Sequence, residues 1–562
     1  MNSIVVVPAY ETGRGGGHIV RSRELVQSLR RRGSEAFLYL PPEQANRGGE
    51  WVISDIRASS LDLIILDRFR TSVQEFTFWR KKAPILGIDE GGRCRQYCDF
   101  LIDMLPALPQ RHPPNTTAPR LLPLPKTRRL SFAFVPEGKK IQALITFGME
   151  DPARLTVPVA CSLAKDSRLN ISVIAPAEAA HALPDGIQAL KPVADLREEL
   201  AGYDLIITHF GLTAFEAIYA KVPVVLFSPS RYHQKLAAAA GFETARLGER
   251  LELDEGLLDR CRRIAARFDL ESQVEFEALS ELLVHLPPAP QVCPACGEPL
   301  APAPVLARFA DRTYRLCPAC KMALMLRLTP PPLEYADDYF FDLYKKQYGL
   351  TYLEDFPQLV QRGKKRLNTI QKLHKGGKRL LDIGCAYGPF LTAAREAGFS
   401  PLGIDPAENA VRYVTQTLGM QALQGFFPHA SVSEMVFDVI SLWFVIEHFP
   451  NLSAVLTALH RMLPSGGVLA LSTPSSTGIS GRSSLKNFLA QSPADHWTIW
   501  SPQAAAKLLK RYGFTLKKTV ICGHHPERFP LLGKVRLLHP ALRFISALLR
   551  LGDTFEIYAV RD

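Results

Sequence analysis

Lys378-Arg379-Leu380-Leu381-Asp382-Ile383-Gly384-Cys385-Ala386-Tyr387-Gly388-Pro389-Phe390-Leu391 is the stretch on which the second half of this chain turns. A short apolar run leads into two glycines, and an apolar helical pattern follows with Pro389 at its first position. That order is strand, tight turn, helix. Twenty-one residues after Gly384 a second apolar run, Pro401-Leu402-Gly403-Ile404, ends in Asp405. A carboxylate at the tip of the neighbouring strand can accept both ribose hydroxyls of a bound nucleoside. The turn holds two glycines with Ala386 between them, short of the dinucleotide fingerprint. It therefore suits a nucleoside without a diphosphate, and Asp382 adds negative charge for a cationic ligand.

Downstream lie the strand Phe437-Asp438-Val439-Ile440-Ser441-Leu442, then Val445-Ile446-Glu447-His448-Phe449, then the turn Leu463-Pro464-Ser465-Gly466-Gly467 with strand Val468–Ser472. Asp495-His496-Trp497 and Gly513-Phe514 follow. In this order the motifs resemble class I S-adenosylmethionine-dependent methyltransferases. The resemblance implies S-adenosyl-L-methionine as cofactor, bound by Asp382, Gly384, Gly388 and Asp405. In relatives that methylate sugar carbons a Glu-His pair lies beside the substrate. Carried onto this chain, His448 takes a proton from an acceptor carbon or hydroxyl and Glu447 orients it. The plainer reading makes His448 a structural cap, and His496 is a second candidate. Gly425-Phe426-Phe427-Pro428 lacks the acid usual near the adenine, so aromatic contact is expected there.

Cys293-Pro294-Ala295-Cys296 and Cys317-Pro318-Ala319-Cys320 are separated by twenty residues. Two such turns bring four thiolates within tetrahedral reach, the requirement for a structural zinc site with ligands Cys293, Cys296, Cys317 and Cys320. Lys321 stands where a glycine is expected. Together with the aromatic stretch Tyr335, Tyr339, Phe340 and Phe341, the module resembles the N-terminal extension of methyltransferases of bacterial polysaccharide pathways. That likeness covers about Cys293 to Asp562.

The first half alternates short apolar runs with amphipathic stretches. Ile4–Val7, Ala36–Leu40, Leu63–Leu66, Ile85–Ile88, Ala143–Thr146, Ile171–Ile174, Leu205–Thr208 and Val224–Phe227 read as buried parallel strands. A proline-rich break, Pro106 to Pro125, divides them into two doubly wound series with a cleft between. After the first strand comes Gly13-Arg14-Gly15-Gly16-Gly17-His18 and a helix from Ile19 to Arg32. Glycines allow close backbone approach, and the helix start offers N–H groups to an anion. The positive end of the helix dipole keeps His18 neutral and able to act as a base. Gly211 to Ala217 repeats the strand–turn–helix arrangement, with Glu216 one turn in, and His233-Gln234 lies beyond.

These motifs, with Asp89-Glu90, Asp99, Asp103 and Thr146 to Pro152, resemble the GT-B superfamily, nearest to the nucleotide-sugar hydrolase of pseudaminic acid synthesis and spore-coat polysaccharide proteins. The likeness covers roughly Met1 to Leu283. It implies His18 as the base that activates water or an acceptor, with Gly16, Gly17, Arg21, Gly211, Leu212, Thr213, Glu216 and Gln234 binding the nucleotide sugar. Met149 replaces a second glycine of the pattern and His233 an asparagine.

At 562 residues the chain exceeds one core, and about three to four domains are expected. The expected fold class is α/β: a GT-B-like double Rossmann-type domain (1–125 and 126–286), linker and zinc ribbon (287–330), an aromatic and basic connector (331–377), and a class I methyltransferase domain (378–562). With 47% hydrophobic and 22% charged residues the composition is globular, and ten sparse cysteines point to metal spacing in a reducing compartment. Nothing in the first residues reads as a signal peptide and no run spans a bilayer, so a cytoplasmic protein is expected. Met1 to Val292 carries 36 basic against 35 acidic residues, the remainder 31 against 20. The basic half calls for an anionic partner. Arg362 to Arg379 reads as a solvated helix face. The basic, leucine-rich stretch Leu531 to Leu551 reads as a helix packed between the last two strands, with contact to a membrane carrying lipid-linked glycan as the alternative.

The function expected is a bifunctional sugar-modifying enzyme, a nucleotide-sugar domain fused to a sugar methyltransferase, with a nucleotide sugar or glycan as substrate and no DNA partner. The alternative is a zinc-ribbon RNA methyltransferase with a non-catalytic first half. Lys321-Met322-Ala323-Leu324 lacks the histidine-phenylalanine-aspartate stretch of such ribbons, which counts against RNA.

Overall fold

In the computed structural model the described residues are 3–10, 17–47, 49–55, 61–121, 124–136, 138–148, 151–174, 179, 181–190, 195–270, 278–287, 289–300, 304–330, 344–345, 349–374 and 376–562. Gly16 and the glycines before it, Met149, Tyr335, Tyr339, Phe340 and Phe341 lie outside them. The chain forms two compact units, Met1–Ala289 with Arg308–Arg312, and Pro290–Ala307 with Thr313–Asp562.

In the first unit the apolar runs form two parallel sheets. The first has the order Val52–Ile53, Glu35–Tyr39, Ser3–Pro8, Leu63–Asp67, Ile85–Ile88, Phe100–Asp103, Thr116–Thr117. The second runs Gln188–Leu190, Leu169–Ile174, Ile141–Thr146, Leu205–Thr208, Val224–Phe227, Glu243–Ala245. Their central strands are buried along their whole length, which explains apolar runs without alternation. In both sheets the order reverses at the first strand, where a crevice opens at the carboxyl ends. All eight expected strands of this half are present. The helix Gly17–Arg31 follows the first strand and is stopped by Gly33, whose φ of 85° suits a residue without Cβ.

The second unit is built on a seven-stranded sheet, ordered Gln421–Gln424, Ser400–Asp405, Arg379–Ile383, Val439–Trp443, Val468–Pro474, Thr554–Arg561, Phe514–Cys522. Thr554–Arg561 runs antiparallel to both its neighbours and the other pairs are parallel. This is a Rossmann-like sheet with one antiparallel strand. The helix Phe356–Leu373 buries Val360, Gly363, Leu367 and Ile370 and turns its basic face outward, where Lys364 pairs with Glu396.

The cysteine module is not an independent bead. Cys293, Cys296, Cys317, Cys320, Met322 and Leu324 share one apolar core with Leu456, Leu463, Leu508 and Phe514. The strand Ala323–Arg327 pairs antiparallel with Thr498–Ile499, which joins the module's small sheet. The stretch Leu531 to Leu551 departs from the packing expected of it. Its helix, His539–Leu548, buries Leu542 and Ser546 and leaves most of its large apolar side chains in solvent.

Replacing fully buried Leu442 by alanine should cost about 2–5 kcal/mol, whereas Leu537→Ala, 88% exposed, should cost under about 0.5 kcal/mol. Urea unfolding followed by circular dichroism measures both, and equal losses would contradict the packing described.

Candidate functional site

The turn after Arg379–Ile383 carries the second unit's site. Gly384 (φ 73°) and Ala386 (φ 47°) are left-handed, and Gly388 (φ 81°) precedes the helix Pro389–Glu396. A Cβ at Gly384 would lie 2.3 Å from Val445 Cγ2, and one at Gly388 2.9 Å from Val414 Cγ2. Both positions therefore require glycine for space as well as for φ. Asp405 sits at the carboxyl end of Ser400–Asp405, 5% exposed. Its Oδ2 accepts the Ala386 N–H at 2.8 Å and its Oδ1 the Ala407 N–H at 2.9 Å. Each carboxylate oxygen keeps a further acceptor position, so the pair fits two ribose hydroxyls. Burial raises its pKa against those two bonds.

Asp382 lies beneath the turn and accepts the Ser441 hydroxyl at 2.6 Å. Burial pushes its carboxyl up to about 7, partly offset by that bond. Phe427 is buried while Phe426 is exposed.

The segment after Val439–Trp443 places Glu447 and His448 at the same sheet edge. His448 Nδ1 lies 2.9 Å from Asp495 Oδ2, and the His448 and His496 rings meet edge to face at 4.7 Å. The carboxylate that faces the imidazole is thus Asp495, which stands in the tail motif Asp495-His496-Trp497 but had no role assigned to it from sequence. Burial opposes charge on Asp495, yet the His448 hydrogen bond and charge hold it down at about 2. Asp495 in turn raises His448 despite that histidine's burial. Glu447 is 1% exposed, its Oε2 has no hydrogen-bond partner among the described residues, and burial pushes it up to about 7. One donor atom each from Glu447, His448 and His496 falls within 4.8 Å of the others, close enough to share an ion.

The four expected cysteines come together as well, their sulfurs all within 4.8 Å. Cys293 Sγ is 3.8 Å from Cys320 Sγ, and Cys296 Sγ is 3.7 Å from Cys317 Sγ. A tetrahedron with metal–sulfur bonds of about 2.3 Å has edges of about 3.8 Å, so the donor set fits zinc. The two turns repeat one geometry. The Gly297 N–H donates to Cys293 O and the Lys321 N–H to Cys317 O. Lys321 adopts φ 64°, the left-handed conformation that Gly297 takes at 75°.

In the first unit a Cβ at Gly17 would lie 3.6 Å from Leu212, so the two expected nucleotide-sugar motifs meet. His18 Nδ1 lies 2.9 Å from Asp67 Oδ1, which leaves its other ring nitrogen available as a base. Arg21 is buried against Asp67 and Asp89, donating from Nε to Asp67 Oδ2 at 3.0 Å and from a terminal nitrogen to Asp89 Oδ2 at 3.2 Å. Its guanidinium orders the loop acids instead of lying open to a ligand. The Arg21 guanidinium, with the hydrogen bonds from Arg21 and His18, holds Asp67 well below the usual carboxylate range although burial opposes it. Asp67 went unmarked in the sequence. Its only signal was an acid closing the apolar run Leu63–Leu66.

Glu216 lies in the helix Leu212–Tyr219 and is 7% exposed; burial drives it up to about 8 against the pull of Arg197. Gln234 is exposed on the helix Arg231–Ala240. A chain of rings, Phe69, Tyr232, His233, His209 and Phe147, runs beside these motifs with centroids 5.8 to 6.5 Å apart. Within it His209 Nδ1 is buried without a hydrogen-bond partner among the described residues.

Residues 352–519 match a family described as a methyltransferase domain. Among curated proteins, the ubiquinone biosynthesis O-methyltransferase of Dechloromonas aromatica is 31% identical over 109 residues, 18% of this chain and 47% of that protein. The protein of the same name from Azoarcus sp. is 26% identical over 152 residues, 25% of this chain and 65% of its own. The chain thus spans about half to two thirds of the length of these relatives. A solved SAM dependent methyltransferase from Archaeoglobus fulgidus aligns over 40% of this chain and all of its own, at 20% identity and a TM-score of 0.30. Residues 352–519 of the second unit thus match a methyltransferase domain.

Glu216 supplies a pH test. A carboxyl raised from 4.5 to about 8 in the folded state binds more protons folded than unfolded, so its contribution falls as pH rises across that window. One such group sets a slope of up to about 1.4 kcal/mol per pH unit. Glu216→Gln should flatten the decline of first-unit stability between pH 5 and 8, followed by urea unfolding at each pH. An unchanged slope would show that Glu216 is ionised throughout.

Proposed function

We propose that this protein is a bifunctional sugar-modifying enzyme of bacterial surface-glycan synthesis, with a GT-B-like nucleotide-sugar unit joined to a methyltransferase. The observation that carries the methyl-transfer part is the Gly384–Gly388 turn facing Asp405, with Glu447, His448 and Asp495 on the same sheet edge. S-adenosylmethionine bound there supplies an electrophilic methyl group. Asp405 holds the ribose, and the turn brings backbone close to the amino-acid part, above Asp382. At the acceptor the proton leaves as the methyl group arrives, and His448, held by Asp495, is the group that receives it. The O-methyltransferase names of the relatives favour an oxygen acceptor.

In the first unit the support is the meeting of Gly17 with Leu212, the His18–Asp67 pair and the buried Glu216. His18 activates water or an acceptor hydroxyl, and the helix start at Leu212 receives the nucleotide diphosphate of the sugar donor. The four cysteines hold a structural zinc ion that fixes the module into the core it shares with the methyltransferase sheet.

Calorimetry with S-adenosylhomocysteine should give binding that Asp405→Ala weakens by at least about tenfold, while His448→Ala leaves affinity within about threefold and lowers methyl transfer about 100-fold. Absence of affinity in the unaltered chain would end the methyl-transfer reading. The first unit is tested by nucleotide-sugar binding and turnover. His18→Ala should retain binding and lose at least about 100-fold in turnover, and full turnover in that variant would remove His18 as base. Metal analysis should find about one zinc per chain, absent from Cys317→Ser.

A further inference from the structure

Between the last two strands of the second unit the chain leaves the sheet at Gly523 and returns at Thr554. The excursion has short turns at Leu532–Lys534 and Arg536–Leu538 and the helix His539–Leu548. It is fastened at its base. Asp553 Oδ2 accepts from Arg528 at 2.8 Å and from the Ser480 hydroxyl at 2.7 Å, and His524 Nδ1 lies 2.8 Å from Ser546 Oγ. It is therefore a fixed projection with a defined outer face.

That face is apolar to a degree soluble monomers avoid. Leu531 is 87% exposed, Leu537 88%, Phe544 and Leu548 70% each, and Leu549 57%, all within nineteen residues. Scattered exposed leucines need no explanation, but a contiguous apolar patch marks a surface that meets something. Lys534, Arg536, Arg543 and Arg550 are exposed among these side chains, and no acid occurs from Arg528 to Gly552. A second copy of the same face would set four cations against four cations. An anionic bilayer surface satisfies both properties at once, taking the leucines and Phe544 into the acyl boundary and the basic groups at the headgroups.

Sheet register adds a direction. Thr554 pairs with Cys522 on one side and with Pro474 on the other. Pro474 ends a strand that runs parallel to Val439–Trp443 and Arg379–Ile383. The projection thus leaves the sheet at the edge that carries Gly384, Asp405 and Glu447-His448. We propose that Leu531–Leu549 docks this chain on an anionic membrane surface and turns the methyl-transfer edge toward an acceptor held in that membrane. The second clause rests on the methyl-transfer reading; the docking does not.

The test is flotation of the full chain with vesicles of phosphatidylcholine alone or with about 30% phosphatidylglycerol. Wild type should float with the anionic vesicles at least about tenfold better than with the neutral ones. The triple variant Leu537→Glu, Phe544→Glu, Leu548→Glu should lose that binding by at least about tenfold, and so should Lys534→Glu with Arg536→Glu. All should keep the wild-type affinity for S-adenosylhomocysteine, which certifies folding. No flotation, or equal flotation of wild type and triple variant, would overturn the proposal. So would a wild-type dimer in sedimentation equilibrium that the triple variant converts to monomer while neither floats. Flotation without S-adenosylhomocysteine affinity would uphold the docking and remove the methyl-transfer reading instead.

Discussion

At Gly384 the backbone passes so near Val445 that a single methyl group would sit 2.3 Å from its Cγ2. That close approach ties the turn after Arg379–Ile383 to the segment after Val439–Trp443, two strands paired in the middle of the sheet. Because the strands are parallel, both turns open at the same edge, and Asp405 joins them from the third strand. The glycine turn, Asp405 and the Glu447-His448 pair thus become neighbours without any long loop to carry them. A larger residue at position 384 would separate the two, and the site would lose its floor.

Electrostatics sharpens what packing assembles. Asp382 and Glu447 are nearly solvent-free and pushed up to about 7, so each is held close to neutrality by burial. Asp495 remains a firm anion at about 2 because His448 faces it. Two carboxyls pushed up by burial and one held down by a facing histidine thus stand near the same sheet edge, their ionisation set apart by their surroundings. In the first unit the division recurs, with Asp67 held ionised by Arg21 and His18 while Glu216 is raised to about 8.

The cysteine module illustrates how a small element gains stability from a larger one. Four buried cysteines at tetrahedral spacing share a core with Leu456, Leu508 and Phe514, and Thr498–Ile499 extends its sheet. Tyr512 donates its hydroxyl hydrogen to Ala295 O between the first two cysteines. The module is thereby a fixed part of the second unit, which a spacing of cysteines alone does not reveal.

Much of this architecture was legible in local pattern. Apolar runs of four or five residues marked every strand expected in the first half, since a strand buried on both faces must be apolar throughout. Gly384, Gly388, Asp405 and the four cysteines were marked by spacing, because turn and ligand geometry depend on residues close in the chain. What the tertiary structure alone decided is which distant groups face one another. Asp495 reaches His448 across 47 positions of chain and Asp67 reaches His18 across 49, pairings fixed by sheet order and invisible to any periodicity. The same holds for Leu531 to Leu549, whose amphipathic pattern reads first as a packed helix and only second as a membrane-facing one. Only the absence of a covering element above the helix His539–Leu548 among the described residues distinguishes them, because burial is a property of what lies opposite and not of the segment itself.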